Sequence, residues 1–320
     1  MQEKKAVSKT AIWLALAGLY LGWGVTFLAN HYALQAVPPL LMNGSRNFLA
    51  GIILYAFLRL RGAQRPTARM WRSASVVGFI MICCGSGANI WAQKVVPTGI
   101  SSLIIGSIPL WMVILEIFIS KKAKTPGPRA FAVLGVFIGF AGIILLIGPA
   151  NIMGTDTGLN PLGTAALLTG SFFWALGSLK SRTAVLPSSR VLGSGIIMMA
   201  GGVILVIISV LLGEAAQFSW DRVTFSSVMG YLYAVFGSSL FAFALYTWLL
   251  AVAPATLAST FAFVNPIVAV ILGILVLGEA TSLRLFIASA MILASVALVI
   301  TASGKKPAPQ PSAQGRPDAE

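Results

Sequence analysis

The chain has 320 residues, and its 22 Lys and Arg with 8 Asp and Glu leave only 9% of it charged, where soluble domains carry about a quarter. With 58% apolar residues and a mean hydropathy of +0.90, it holds more hydrophobic surface than a water-facing domain can bury, which excludes a soluble globular fold. The net charge of +14 lies in short gaps between apolar runs, so the single basic face that a nucleic acid would need is absent and no nucleic-acid partner is expected.

An apolar run of about 20 residues crosses the ~30 Å hydrocarbon layer as a helix. Ten such runs follow in chain order: 11–30, 40–58, 73–93, 98–119, 131–147, 162–179, 191–213, 226–252, 255–277 and 283–302. The alternating polarity of a membrane barrel is missing, so the pattern predicts an all-α membrane protein of ten transmembrane helices. The first run follows Lys4, Lys5 and Lys9 as a signal peptide would, but it is long and has no clear small-residue cleavage site, so it reads as a retained helix. Cys83 and Cys84 are adjacent inside an apolar run, which suits neither a disulfide framework nor spaced metal ligands. They are expected to be buried small residues, and no metal site or cofactor is predicted. The Pro-, Ala- and Gln-rich tail, 304–320, has nothing to bury and is expected to be disordered.

Short cytoplasmic segments collect Lys and Arg. With the N-terminus placed inside, eighteen of the 22 cations fall on the inner side, three (Lys94, Arg222, Arg284) on the outer side, and Arg46 within a run. Both termini are therefore expected in the cytoplasm. The chain also repeats itself. Residues 97–117 lie on 254–274 at a constant shift of 157, with Pro97 on Pro254, Pro109 on Pro266 and seven identities in 21 positions. Trp23 meets Trp174 at a shift of 151. Five helices then make one unit and five the next, and because five is odd the second copy enters the membrane from the opposite side. Such an inverted repeat offers two nearly equivalent conformations around one central site, the physical requirement for alternating access. The expected division is a cytoplasmic segment 1–10, a first repeat 11–149, a loop 150–161, a second repeat 162–303 and the tail 304–320.

Ala253-Pro254-Ala255-Thr256, Phe263-Val264-Asn265-Pro266 and Leu277-Gly278-Glu279 together resemble the C-terminal part of an EamA domain. Trp23-Gly24, Arg46, Asn160-Pro161-Leu162-Gly163 and Phe173-Trp174-Ala175 fit the same pattern. The resemblance covers roughly residues 10–302. It implies the drug/metabolite transporter superfamily, ten-helix inner-membrane carriers of which many export amino acids or other metabolites. In the first copy Lys121-Lys122 stands where the Gly-Glu pair often ends the fourth helix.

Ionisable groups inside a membrane are expensive and raise a functional hypothesis by default. Arg46 is such a group: it either pairs a substrate carboxylate or phosphate bidentately or binds helix-end carbonyls as scaffold. Glu116 near Lys121 and Lys122 reads as an interfacial ion pair, His31 as a loop residue, and Glu279 as a cap on the start of the tenth helix. The first helix carries no acid, whereas the small multidrug exporters related to the superfamily exchange protons for lipophilic cations through a mid-membrane Glu there. Cationic-drug antiport is disfavoured accordingly.

What remains is a neutral, aromatic-lined cavity, with Trp23, Arg46, Asn89, Trp111, Trp174, Ser238, Tyr246, Phe261 and Asn265 as candidate substrate contacts. Pro109 and Pro266 are candidate hinges, because an intrahelical proline frees the carbonyl one turn earlier. Single members of this set also serve as packing residues and interfacial belts. The expected function is secondary transport of small metabolites, neutral or aromatic amino acids foremost, outward across a bacterial inner membrane, with the lipid bilayer and a small-molecule substrate as partners. A carrier of an anionic metabolite held by Arg46 and a channel-like facilitator are the alternatives. No nucleophile and base pair, HExxH spacing or P-loop points to an enzyme or ATPase, and a monomer and a homodimer are equally compatible with the sequence.

Overall fold

The computed structural model describes residues 8–119, 129–147, 159–187, 189–252 and 261–303. All secondary structure among them is helical. The helices are α1 (Lys9–Ala33), α2 (Pro39–Leu60), α3 (Ala68–Ala92), α4 (Thr98–Ile105, then Ile108–Ile119) and α5 (Arg129–Ile147). The second half has α6 (Pro161–Thr183), α7 (Arg190–Leu211), α8 (Phe225–Tyr233, running on through Val252), α9 (Phe261–Leu277) and α10 (Leu283–Ser303). Six of these, α1, α3, α4, α6, α7 and α8, contain stretches long and apolar enough to cross a membrane, and α5, α9 and α10 contain shorter apolar ones. In α2 the polar run Asn43, Ser45, Arg46 and Asn47 interrupts an otherwise apolar helix of 22 residues. The tail 304–320 lies outside the described residues, as do the Lys121-Lys122 pair and the side chain of Glu116.

The main packing pairs recur under exchange of the two halves. α2 runs along its counterpart α7, and α5 along α10. α3 packs on α6 as α8 packs on α1, α4 on α6 as α9 on α1, and α3 on α7 as α8 on α2. Without a hydrophobic drive between helices in lipid, such contacts depend on close approach through small residues. A methyl built on Gly51 of α2 would lie 2.6 Å from Met199 N, and one on Gly202 of α7 would lie 2.5 Å from Phe48 N, so the α2–α7 seam admits no side chain at either point.

Two departures from regular helix also match between the halves. Phe79–Gly87 in α3 and Ala234–Ala242 in α8 are π-helical, a wider ladder that is rare and recurs at functional sites. Of the two candidate hinge prolines, Pro109 follows the interruption of α4 at Gly106 and Ser107, whereas Pro266 sits inside α9 without ending it.

Candidate functional site

The residues proposed from the sequence as one cavity lining fall into separate groups. Trp23, Tyr246 and Phe261 form an aromatic cluster where α1, α8 and α9 meet. Phe261 stands edge-on to Trp23 at 4.6 Å between centroids, and Tyr246 lies 5.2 Å from Trp23. The indole Nε1 of Trp23 donates to the carbonyl of Ser238 at 3.2 Å. Ser238 belongs to the π stretch of α8, where the shifted ladder leaves a carbonyl for an outside donor. Asn265 serves the same junction. With its amide oriented to satisfy both ends, Nδ2 donates to Phe261 O at 3.2 Å and to Tyr20 O at 3.3 Å. It thus fastens α9 to α1 just before Pro266.

Arg46 belongs to a second group, on α1, α2 and α3. It is only 8% exposed. Nε donates to Asn43 Oδ1 at 3.1 Å and Nη1 to Asn30 Oδ1 at 3.2 Å. Asn30 Nδ2 donates onward to Gln93 Oε1 at 3.0 Å. Asn47 Nδ2 and Ser86 Oγ converge on the same Asn43 oxygen, at 3.0 and 3.1 Å. The scaffold reading expected helix-end carbonyls as partners of Arg46; side-chain amides take that place instead. Among the described residues no carboxylate pairs with Arg46.

This network holds more donors than acceptors. A guanidinium carries five N–H groups, and two are used here. Asn43 Nδ2 is buried with no partner, although Asn43 Oδ1 receives three donors. Seven residues separate Trp23 from Asn30 on α1, about 10 Å along a helix axis at 1.5 Å per residue. The aromatic cluster and the Arg46 network therefore occupy successive levels of the bundle.

The remaining candidates lie elsewhere. Trp111 stands edge-on to Phe140 of α5 and Phe172 of α6, at 5.0 and 5.5 Å, with its Nε1 buried and unpartnered. Trp174 packs among Ile82, Cys83 and Leu205 in the α3–α6–α7 contact, and Asn89 lies against Gly170 of α6 with its Oδ1 unpartnered. The sequence reading missed Asn30, Asn43 and Asn47. Asn43, Arg46 and Asn47 are spaced i, i+3 and i+4, one face of a helix, and that spacing was the available signal.

The reading of Glu279 is corrected. Its carboxylate does not cap α10. It accepts from Thr98 N at 2.5 Å and Gly99 N at 2.9 Å, the first free amides of α4. Glu214, in the turn after α7, does the same for α2, accepting from Leu40 N at 2.9 Å, Leu41 N at 3.2 Å and Ser209 Oγ at 2.9 Å. Both helices begin after a proline, Pro38 and Pro97, whose side chain offers no cap, so the orphan amides are satisfied from the other half of the chain. The described residues form hollows, two of which are bounded as follows. One, of about 210 Å³, is bounded by Pro97, Gly99, Val270 and Glu279; the other, of about 300 Å³, by Arg69, Ser73, Lys180 and Thr183.

The chain matches the EamA-like transporter family twice, over residues 8–148 and 161–301. It is 35% identical over 286 residues to the "Uncharacterized inner membrane transporter YedA" of Escherichia coli (strain K12), covering 89% of each chain. It is 26% identical over 262 residues to "Protein PecM" of Dickeya dadantii (strain 3937), covering 81% of this chain and 82% of the relative. The "WAT1-related protein At3g02690, chloroplastic" of Arabidopsis thaliana shares 25% identity over 90% of this chain and 69% of its own. A solved structure described only as the crystal structure of a protein superposes with a TM-score of 0.62 at 21% identity, covering 92% of this chain and 99% of that one, and shares the fold. Two family matches spanning nearly the whole chain, on an all-helical bundle whose halves exchange their contacts, place this protein in the EamA-like transporter family, as a membrane transporter rather than an enzyme.

Proposed function

We propose that the protein is a secondary carrier that moves small metabolites, neutral or aromatic amino acids foremost, outward across a bacterial inner membrane by alternating access. In this reading ten helices cross the membrane as two five-helix units of opposite sense, divided near residues 150–161, with both termini in the cytoplasm. The recurrence of the main helix pairs under exchange of halves supports it, since two nearly equivalent arrangements are then available, one for each unit.

The observation that carries the substrate class is the donor surplus at Arg46 and Asn43. A buried cation without an acid partner and an unpaired amide N–H beside it call for an oxygen acceptor, and a substrate carboxylate supplies one with charge. The aromatic cluster at Trp23, about 10 Å away along α1 by helix rise, suits an apolar or aromatic side chain. The same donor surplus fits a non-amino-acid anion, which is the second reading.

A thermal-shift panel on purified protein separates these readings, because a ligand that prefers the folded state raises stability by mass action. Neutral and aromatic amino acids are expected to raise Tm, and the shift is expected to vanish in R46Q. Stabilisation by organic or phosphate anions alone would favour the second reading, and a panel with no stabilising member would remove both substrate classes.

A further inference from the structure

The two carboxylate caps differ in what they join. α2 and α7 pack along their lengths, from Gly44 against Val206 to Leu58 beside Ile196, so Glu214 fastens helices that are already inseparable. α4 and α9 meet differently. Gly99 lies against Val270, and Gly106 against Pro266. Beyond those points Trp111 of α4 turns to Phe140 and Phe172, while Phe261 of α9 turns to Trp23 and Tyr246. The contact between α4 and α9 is thus concentrated at the end where Glu279 caps α4.

The seat of that carboxylate is built from two glycines. A methyl on Gly273 would lie 2.5 Å from Glu279 Oε2, and one on Gly99 would lie 3.2 Å from it. Glu279 N in turn donates to Gly273 O at 3.0 Å, closing the α9 terminus on itself so that the side chain projects across to α4. Pro97 supplies no cap of its own, so α4 depends on Glu279 for Thr98 N and Gly99 N. The half-buried carboxylate also borders the hollow of about 210 Å³ with Pro97, Ile100 and Ile274, which gives water a way to replace it once it leaves.

The equivalent position of the other repeat carries a different residue in the sequence. At the repeat shift of 157 residues, Pro97 corresponds to Pro254 and Glu279 to Lys122. A lysine has no acceptor and cannot cap an N-terminus.

We propose that Glu279 is a one-sided latch: it locks α4 to α9 at the end that the charge distribution places outside, and its release from Thr98 and Gly99 is the step that opens the carrier there. The latch rests on the alternating-access reading. It biases the resting carrier towards the conformation closed at the Glu279 end, because that conformation makes the charge-assisted bonds to Thr98 N and Gly99 N.

The test uses full-length protein with Cys83 and Cys84 replaced by Ala, spin-labelled through K94C and T281C, in lipid nanodiscs. Pulsed dipolar spectroscopy of the otherwise unaltered latch should give mainly a short distance. In E279Q, which loses the charge, and in G273A, which keeps the carboxylate but fills its seat, a longer distance should gain about tenfold in relative population. E214Q should leave the distribution unchanged. If either E279Q or G273A folds and keeps the unaltered distribution, the latch is wrong. Counterflow by the unaltered protein in liposomes judges the carrier reading separately, since it does not depend on which contact closes the outer end.

Discussion

Arg46 of α2 and Asn30 of α1 are joined by a bond of 3.2 Å between a buried guanidinium and a neutral amide. The charge is held in place but not neutralised. Such a group is retained in a membrane either for a ligand or at considerable cost, and the first prediction separates the two. R46K keeps a charge but loses the planar fork, and should raise the KM for a carboxylate substrate by about tenfold or more. R46Q should abolish flux while the protein still elutes as a folded monodisperse species. Flux in R46Q at the unaltered rate would assign Arg46 to scaffold alone.

At the aromatic level, Trp23 combines three contacts: Tyr246, Phe261 and the carbonyl of Ser238. W23A should lower unfolding free energy by about 2–3 kcal/mol, below the ~3–5 kcal/mol of a fully buried aromatic because Trp23 is only partly buried. W23F keeps most of the ring contact and forfeits the hydrogen bond, and should cost about 1 kcal/mol. Denaturation in mixed micelles measures both. Equal losses for the two would mean that the Ser238 bond, not the ring, fixes the junction.

The α2–α7 seam makes a sharper demand. Because a methyl on Gly51 would meet the backbone of Met199 and Gly195 within 2.7 Å, G51L has no side-chain movement available to relieve it. The variant should lose about 2 kcal/mol or more, read as a lower yield and melting temperature. A neutral G51L would show that the two helices slide freely.

Glu214 should behave as a staple. E214A leaves Leu40 N, Leu41 N and Ser209 Oγ without their acceptor and should destabilise the protein by about 1–3 kcal/mol. Calorimetry on the purified variant gives the number, and an unchanged melting temperature would deny the cap any energetic role.

Much of this architecture was legible in the sequence because its signals are local. Each apolar run coincides with helix among the described residues, since run length is set by the thickness of the bilayer. The break in α4 was signalled by Pro109, whereas of the polar face of α2 only Arg46 was read, although Asn43 and Asn47 share its i, i+3, i+4 spacing. What the sequence hid is long-range. Glu279 reaches amides 181 and 180 residues away, and nothing near it in the chain distinguishes a cap on α4 from one on the adjoining α10. The π stretches of α3 and α8 have the same Gly-, Ser- and apolar-rich composition as ordinary membrane helix. Trp111 and Trp23 looked alike as aromatic residues of apolar runs, but they face different neighbours, Phe140 with Phe172 in one case and Tyr246 with Phe261 in the other.

The central claim is that one substrate site faces the two compartments in turn, and counterflow tests it most directly. Liposomes containing the purified protein and loaded with an unlabelled amino acid that stabilises it should transiently accumulate the radiolabelled form above its external concentration, and the overshoot should saturate with substrate. Simple equilibration without overshoot would indicate a channel, and the absence of flux for every stabilising ligand would contradict the carrier altogether.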